Sequence, residues 1–341
     1  MGICTSAPAE VIEGLGTVIY DQDGMKINHQ IKSGLSIHSK RGRKAVNQDS
    51  AVLCQGYGSG NVVMCGVFDG HGRNGHLVSK IISRRLPLLL LDKKNAVSEV
   101  NENHYDSESL PTNYGSSMPN NELLEWEKAY MNAFMEMDEE IKMVKSVDSS
   151  FSGSTAVVAL KLGDDLVIAN LGDSRAILGT KSKDGVIAVQ LTTDLKPETP
   201  GEGDRIRSSK GKVYATEDEP SIPRAWLPRD YDTFGITVSR CFGDFVMKEY
   251  GIISTPVITH HRITSDDLFI LVASDALYDV LSNEEVASVV CGVEHEGTAA
   301  KAVIDAAVEA WKNKVPYNYR DDCTVVCYFF HKEDQTQVTR A

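Results

Sequence analysis

Aspartates recur in one kind of place in this sequence. Asp69 follows the apolar run ending Val67-Phe68, Asp173 follows Asn170-Leu171-Gly172, and Asp275 follows Val272-Ala273-Ser274. Asp49 closes Asn47-Gln48-Asp49, and Asp321 precedes the last apolar run of the chain. One carboxylate after a strand is an ordinary turn residue. A set of them, each at the end of a strand-like run, can do more. Hard cations such as Mg²⁺ and Mn²⁺ take carboxylate and carbonyl oxygens and water, and strand ends hold such ligands on rigid supports. Gly70, directly after Asp69, allows a backbone carbonyl to approach at the same point. His71 comes next, a side chain that exchanges protons near neutral pH.

Those aspartates need strands to hold them. Asn61 to Phe68, Ser154 to Leu162, Leu166 to Asn170, Asp267 to Ala273 and Cys323 to Phe330 are β-rich, and Gly163-Asp164-Asp165 reads as a hairpin turn. Helices are fewer and longer. Leu77 to Leu91 is one, expected to end near Pro87 and Asp92. Trp126, Tyr130, Phe134, Met137 and Ile141 form the buried stripe of another, and Ala300, Val303, Ile304, Ala307, Val308 and Trp311 that of a third. Strands gathered in hairpins, with few helices between them, predict an α+β fold of antiparallel sheets covered by helices. The expected organisation is a tail over 1–32, one domain over 33–333 and a C-terminal tail over 334–341. Within the domain, a polar surface insertion is expected over 93–120.

Bulk properties narrow the function. The 341 residues carry a net charge of −13, which disfavours nucleic acid as a partner, since affinity there comes from neutralising phosphates. The seven cysteines are irregularly spaced without a Cys-x-x-Cys, which predicts reduced thiols in an intracellular protein and neither disulfides nor a zinc site. No run is long enough to span a membrane.

Five segments, in order, resemble the protein phosphatase 2C family, and plant members most. They are Gly66-Val67-Phe68-Asp69-Gly70-His71-Gly72, Gly153-Ser154-Thr155-Ala156, Ala169-Asn170-Leu171-Gly172-Asp173-Ser174-Arg175, Ser239-Arg240-Cys241-Phe242-Gly243-Asp244, and Ala273-Ser274-Asp275 with Tyr278-Asp279-Val280-Leu281-Ser282. The resemblance implies an α-β-β-α sandwich of two antiparallel sheets flanked by helices. It implies two ions, Mg²⁺ or Mn²⁺, at one edge, and a third, weaker one. Asp69 would bridge both ions, Gly70 would add its carbonyl, Asp275 and Asp321 would complete one shell, and Asp49 would act through water. Asp173 and Asp279, with Asp275, would hold the third. A metal-bridging water would attack the phosphorus of phosphoserine or phosphothreonine in line, and His71 would protonate the leaving oxygen. No cysteine nucleophile is needed, and no Cys-x5-Arg loop is present. Residues 195–229 match the family's flap.

Four positions depart from the pattern, and one is Asp322, where an asparagine is frequent. Gln48 replaces a frequent glutamate. Lys44 stands where the family has its phosphate-binding arginine, with Arg43 beside it. Ala276 replaces a glycine and would be strained if φ were positive there. These departures motivate an alternative, a weakly active or inactive phosphatase-like protein that docks a kinase or receptor. Strict alternation along an extended segment would put Arg43 on the face of Asp49, whereas the family alignment favours Lys44.

The start, Met1-Gly2-Ile3-Cys4-Thr5-Ser6, fits N-myristoylation at Gly2, with Cys4 as a palmitoyl acceptor. No Lys or Arg precedes Lys26, so a second acyl chain must supply stable anchoring. The expectation is a monomer acting on phosphorylated proteins, kinases or receptors among them, in the cytoplasm and at the cytoplasmic side of the plasma membrane.

Overall fold

The computed structural model describes residues 16–21, 24–28, 34–58, 62–105, 121–228, 234–314 and 320–330. Gly2, Cys4 and the expected C-terminal tail lie outside them. The chain enters through the hairpin β1 (Gly16–Asp21) and β2 (Gly24–Asn28), then forms β3 (Leu35–Lys40), β4 (Asp49–Gln55) and β5 (Val63–Gly72). Helices α1 (Gly75–Tyr105) and α2 (Asn121–Met143) follow. Next come β6 (Ser152–Ser154), β7 (Ala156–Leu162), β8 (Asp165–Leu171), β9 (Arg175–Ser182) and β10 (Gly185–Gln190). A small excursion carries α3 (Glu202–Ser208), β11 (Lys212–Tyr214), β12 (Arg224–Trp226) and β13 (Gly235–Ile236). The chain ends with β14 (Phe242–Gly243), α4 (Phe245–Lys248), β15 (Val257–Arg262), β16 (Asp267–Ala273), α5 (Asp275–Tyr278), α6 (Asn283–Cys291), α7 (Ala299–Lys314) and β17 (Cys323–Phe329).

Two antiparallel sheets form, one running β15-β8-β7-β5-β4-β1-β2 with β6 and β14 attached, the other β10-β9-β16-β17-β3. Period-two patterning sorts their side chains into layers. In β4, Ala51 and Leu53 face the second sheet, while Val52 and Cys54 face the helices α1 and α2. In β16, Ile270 and Val272 face the first sheet, while Phe269, Leu271 and Ala273 pack with α5, α6 and α7. The result is helix, sheet, sheet, helix, the expected α+β sandwich. The stripe Trp126, Tyr130, Phe134, Met137 and Ile141 is buried in α2.

Three expectations are corrected. The tail does not extend through residue 32, because β1 pairs with β4 from Gly16↔Gln55 to Tyr20↔Ala51 and continues the sheet. An edge of β4 left open would present unpaired backbone groups, and β1 satisfies them. Residues 93–105 of the expected polar surface insertion are helical, because α1 runs through Pro87, and 106–120 lie outside the described residues. The proline costs about 3 kcal/mol, but α1 buries Val78, Ile82, Leu86, Leu89 and Leu90, and each such side chain contributes about 1.5–3 kcal/mol. The flap also runs past 229: β12 pairs with β13, which ends at Ile236.

Candidate active site

Five strand ends and the turns beyond them meet at one edge of the sandwich. Asp49 begins β4 and Asp69 lies near the end of β5, and the register sets them directly opposite, Asp49↔Asp69. Like charges at such a pair repel and gain nothing from the sheet. Asp275 starts α5 directly after β16, and Asp321 precedes β17, whose register with β16 brings their ends together through Ala273↔Val325. Asp173 follows β8. Asp275 comes within side-chain hydrogen-bonding reach of Asp69. Burial first, then the charges of Asp49 and Asp275, hold the Asp69 carboxyl well above the usual carboxylate range. Asp275 is raised by burial and then by Asp321.

Small polar residues lock these carboxylates in place. Ser274 Oγ donates to Asp49 Oδ2 at 2.9 Å and accepts from the Thr324 backbone N–H at 3.0 Å, tying β4 to the ends of β16 and β17. Thr155 brackets Asp69: its N–H donates to the Asp69 carbonyl at 2.9 Å and its Oγ1 accepts from the Asp69 N–H at 3.2 Å. A Cβ on Gly70 would lie 2.4 Å from the Gly75 carbonyl oxygen and 2.5 Å from that of Gln48, so only glycine fits between the turn and α1. Sequence reading singled out Gly70 but gave Ser274 and Thr155 no role.

Lys44 enters the site on an irregular loop, not on a strand. Asp322, 1% exposed, accepts from the Gly42 N–H at 2.7 Å and the Gln48 N–H at 2.8 Å, so both ends of the loop are bolted to the start of β17. This delivers Lys44 Nζ to 2.6 Å from Asp321 Oδ1 and leaves Arg43 exposed. Burial would lower the lysine pKa, but Asp69 and Asp321 outweigh it and hold it well above the usual range, so Lys44 is charged. Gln48 turns its amide away, donating to the Gly72 carbonyl at 2.6 Å. Ala276 is helical and is not among the described non-glycine residues with positive φ, which are Lys210 and Asp244.

The cleft at this edge encloses about 230 Å³ and is lined by Lys44, Asp69, His71, Asp173, Asp275 and Asp321. Arg224 and Phe234 from the flap side form its other wall. Asp279 sits exposed one helical turn after Asp275, on the same face of α5. Lys196, at the base of the flap, stands 3.8 Å from Asp173. Burial first, then the Asp275 charge, hold the Asp173 carboxyl well above the usual carboxylate range, and the Lys196 charge counters only part of this. His71 Nε2 meets Asp244 Oδ2 at 2.5 Å. His71, Cys241 and Asp244 form the tight cluster of metal-ligand types among the described residues, yet two ligands on one zinc at about 2.0–2.2 Å would stand roughly 3 Å or more apart. The 2.5 Å contact is therefore a hydrogen bond.

The flap is held from beneath by Glu202, which sequence reading also missed. Its carboxylate accepts from Arg205 (2.8 and 2.7 Å), Arg240 (3.0 and 2.7 Å) and Ser239 Oγ (2.5 Å). Arg175 pairs with Asp194 at 2.6 Å and lies over the Tyr278 ring, 4.2 Å from its centroid, joining the flap base to α5.

These residues suit hard divalent cations. Asp49 Oδ1 is buried with no hydrogen-bond partner, facing carboxylates that repel one another. The aspartates offer only oxygen ligands, the set that Mg²⁺ and Mn²⁺ prefer.

The family model for protein phosphatase 2C matches residues 34–314. Probable protein phosphatase 2C 72 of Arabidopsis thaliana is 45% identical over 346 residues, covering 98% of this chain and 99% of the relative. Probable protein phosphatase 2C 12 of Oryza sativa subsp. japonica is 42% identical over 368 residues, covering 100% of this chain and 94% of the relative. The crystal structure of serine-threonine phosphatase 2C from Toxoplasma gondii superposes with a TM-score of 0.72 at 22% identity, covering 89% of this chain and 96% of that one, a likeness of fold. Sequence, architecture and the aspartate-lined edge agree: the chain belongs to the protein phosphatase 2C family, the metal-dependent protein serine/threonine phosphatases.

Proposed function

We propose that this cleft hydrolyses phosphoserine and phosphothreonine with two Mg²⁺ or Mn²⁺ ions and a third, weaker one. The observation that carries the reading is the convergence of Asp49, Asp69, Asp275 and Asp321 at one sheet edge, with the Asp49 Oδ1 left unpartnered. Asp69, with the Gly70 carbonyl, would serve both ions. Asp275 and Asp321 would hold one, Asp49 would act through water, and Asp173 and Asp279 would join Asp275 around the third. When bound, the ions supply Lewis-acid polarisation and an acidified nucleophilic water. Lys44 meets the phosphate dianion as a point charge, and His71 gives a proton to the departing serine or threonine oxygen. Arg224 and Phe234 bound the side from which a peptide would arrive. The helical backbone at Ala276 puts no strain on the departure there and favours turnover over a purely docking role.

Substituting Asp69→Asn tests this. Release of phosphate from a phosphothreonine peptide should fall to near background and chelation should abolish it in the wild type, with the circular dichroism of the variant unchanged. Full activity of Asp69→Asn sinks the mechanism.

The same proposal places the enzyme at membranes through a myristoyl group on Gly2 and a palmitoyl group on Cys4. Its phosphoprotein substrates there would include kinases or receptors on the cytoplasmic face.

A further inference from the structure

His71 lies in β5 and Asp244 directly follows β14, and these two strands flank β6. In β5, His71 pairs with Gly153, and in β14, Gly243 pairs with that same Gly153. Two inter-strand steps, about 10 Å, separate the outer backbones. A side chain on residue 153 would fill the space between them: a Cβ there would lie 2.4 Å from Asp244 Oδ2 and 2.8 Å from His71 Nε2. Glycine leaves the gap open, and the imidazole and the carboxylate meet across it at 2.5 Å.

The two partners differ in exposure. The Asp244 side chain is 0% exposed, while that of His71 is 26% exposed and lines the cleft. Asp244 adopts φ 48, a left-handed conformation uncommon outside glycine. It is held there by its N–H on the Ser152 carbonyl at 3.0 Å and by its own carbonyl, which accepts from the Met247 N–H at 2.8 Å. The Cys241 thiol donates to the same Oδ2 at 3.2 Å, and Oδ1 has no partner. A buried carboxylate on a strained backbone, with one oxygen unsatisfied, is costly to keep, and such sites cluster where function requires them.

We propose that Asp244 is the positioning residue of the proton donor: it accepts the Nε2 proton of His71 through the gap at Gly153, fixing the ring's orientation and leaving Nδ1 to serve the leaving oxygen. The inference rests on the assignment of His71 as proton donor. In the step it supports, a water oxygen bonds to phosphorus as the bond from phosphorus to the serine or threonine oxygen breaks. The leaving oxygen keeps that electron pair and takes the Nδ1 proton. The proton released by the water passes to solvent, and the ring is reprotonated before the next turnover. An aspartate that holds a histidine in one orientation without itself exchanging the proton is a recurring catalytic arrangement.

Proton donation matters in proportion to the basicity of the leaving group, which gives a test. The full-length protein, His71→Asn, Asp244→Asn and the double variant are assayed with a phosphothreonine peptide and with aryl phosphates of graded leaving-group acidity. Asp244→Asn should lower kcat for the peptide by roughly tenfold more than for p-nitrophenyl phosphate. It should steepen the leaving-group dependence in the same direction as His71→Asn, and the double variant should be no steeper than His71→Asn alone. A uniform loss across the series in Asp244→Asn, with steepening retained in His71→Asn, overturns the pairing but leaves His71 as the acid. An unchanged slope in His71→Asn overturns the acid assignment and the pairing with it. If Asp244→Asn does not fold, long-range ¹H–¹⁵N spectra of the wild-type protein decide: a slowly exchanging proton on His71 Nε2 supports the pairing, and a ring carrying its proton on Nδ1 alone overturns it.

Discussion

Replacing Glu202 by glutamine keeps the shape of the side chain and removes its charge from the clamp under the flap. Burial alone would raise this carboxyl, but hydrogen bonds from Arg240, Arg205 and Ser239 outweigh it and bring the pKa from 4.5 to about 2. That difference corresponds to about 3 kcal/mol of folding stability. The residue is 4% exposed, so solvent screening removes little of it. Because the folded-state pKa lies below the unfolded one, this stability is fully present above pH 4.5 and is lost as pH falls toward 2. At pH 7, Glu202→Gln should therefore cost about 3 kcal/mol, a Tm decrease of roughly 5–10 °C. The loss should stay at this scale because both guanidiniums keep other partners, Arg205 on the Gly251 and Ser239 carbonyls and Arg240 on the Thr255 carbonyl. Arg240 immediately precedes the Cys241-to-Asp244 stretch, so a loosened clamp should raise KM for a phosphopeptide more than it lowers kcat. The assay is denaturant unfolding of both proteins from pH 7 to pH 2.5, with limited proteolysis of the flap alongside. Equal stability of the two proteins at pH 7, or a gap that persists undiminished at pH 2.5, refutes the reasoning.

Lys44→Ala should lower kcat/KM for a phosphopeptide about tenfold to a hundredfold, the effect of a charge-assisted hydrogen bond of about 1.5–3 kcal/mol, while the exposed Arg43→Ala stays near wild type; steady-state kinetics distinguish them, and the reverse pattern moves the phosphate contact to Arg43. Asp322→Ala strips acceptors from the Gly42 and Gln48 N–H groups and should cost about 3 kcal/mol in thermal unfolding while raising KM, with Asp322→Asn recovering part of both. Gly2→Ala should move the protein from membrane to soluble fractions, and Cys4→Ser should do so partly, since one acyl chain binds only marginally; equal partition of wild type and Gly2→Ala would refute the anchor.

The sandwich was legible because its signals are periodic. The α2 stripe and the strands β16 and β17 show in the apolar pattern, and the five segments named the family before any coordinates. The hairpin β1–β2 was not legible, since its reason to form is the open edge of β4, which no local pattern records. Pro87 suggested an end to α1 that packing overrides. Alternation pointed to Arg43 because it assumes a strand, and residues 41–48 are instead a loop shaped by Asp322, far away in sequence. The contact of Asp244 with His71 needs three paired strands and a missing side chain at Gly153, a coincidence visible only in three dimensions.

The bolt between Gly42 and Asp322 joins residues 280 positions apart, and among the described residues β3, at the edge of the second sheet, pairs with β17 alone. On the ribosome, where synthesis runs at about 5–20 residues per second, the Lys44 loop therefore waits roughly 15–60 s for its partner to be made. Until β17 emerges, the nascent chain has no anchored lysine and no Asp321 beside Asp275. The lysine and the second half of the aspartate set thus take their places together, since Asp321 and Asp322 both directly precede β17.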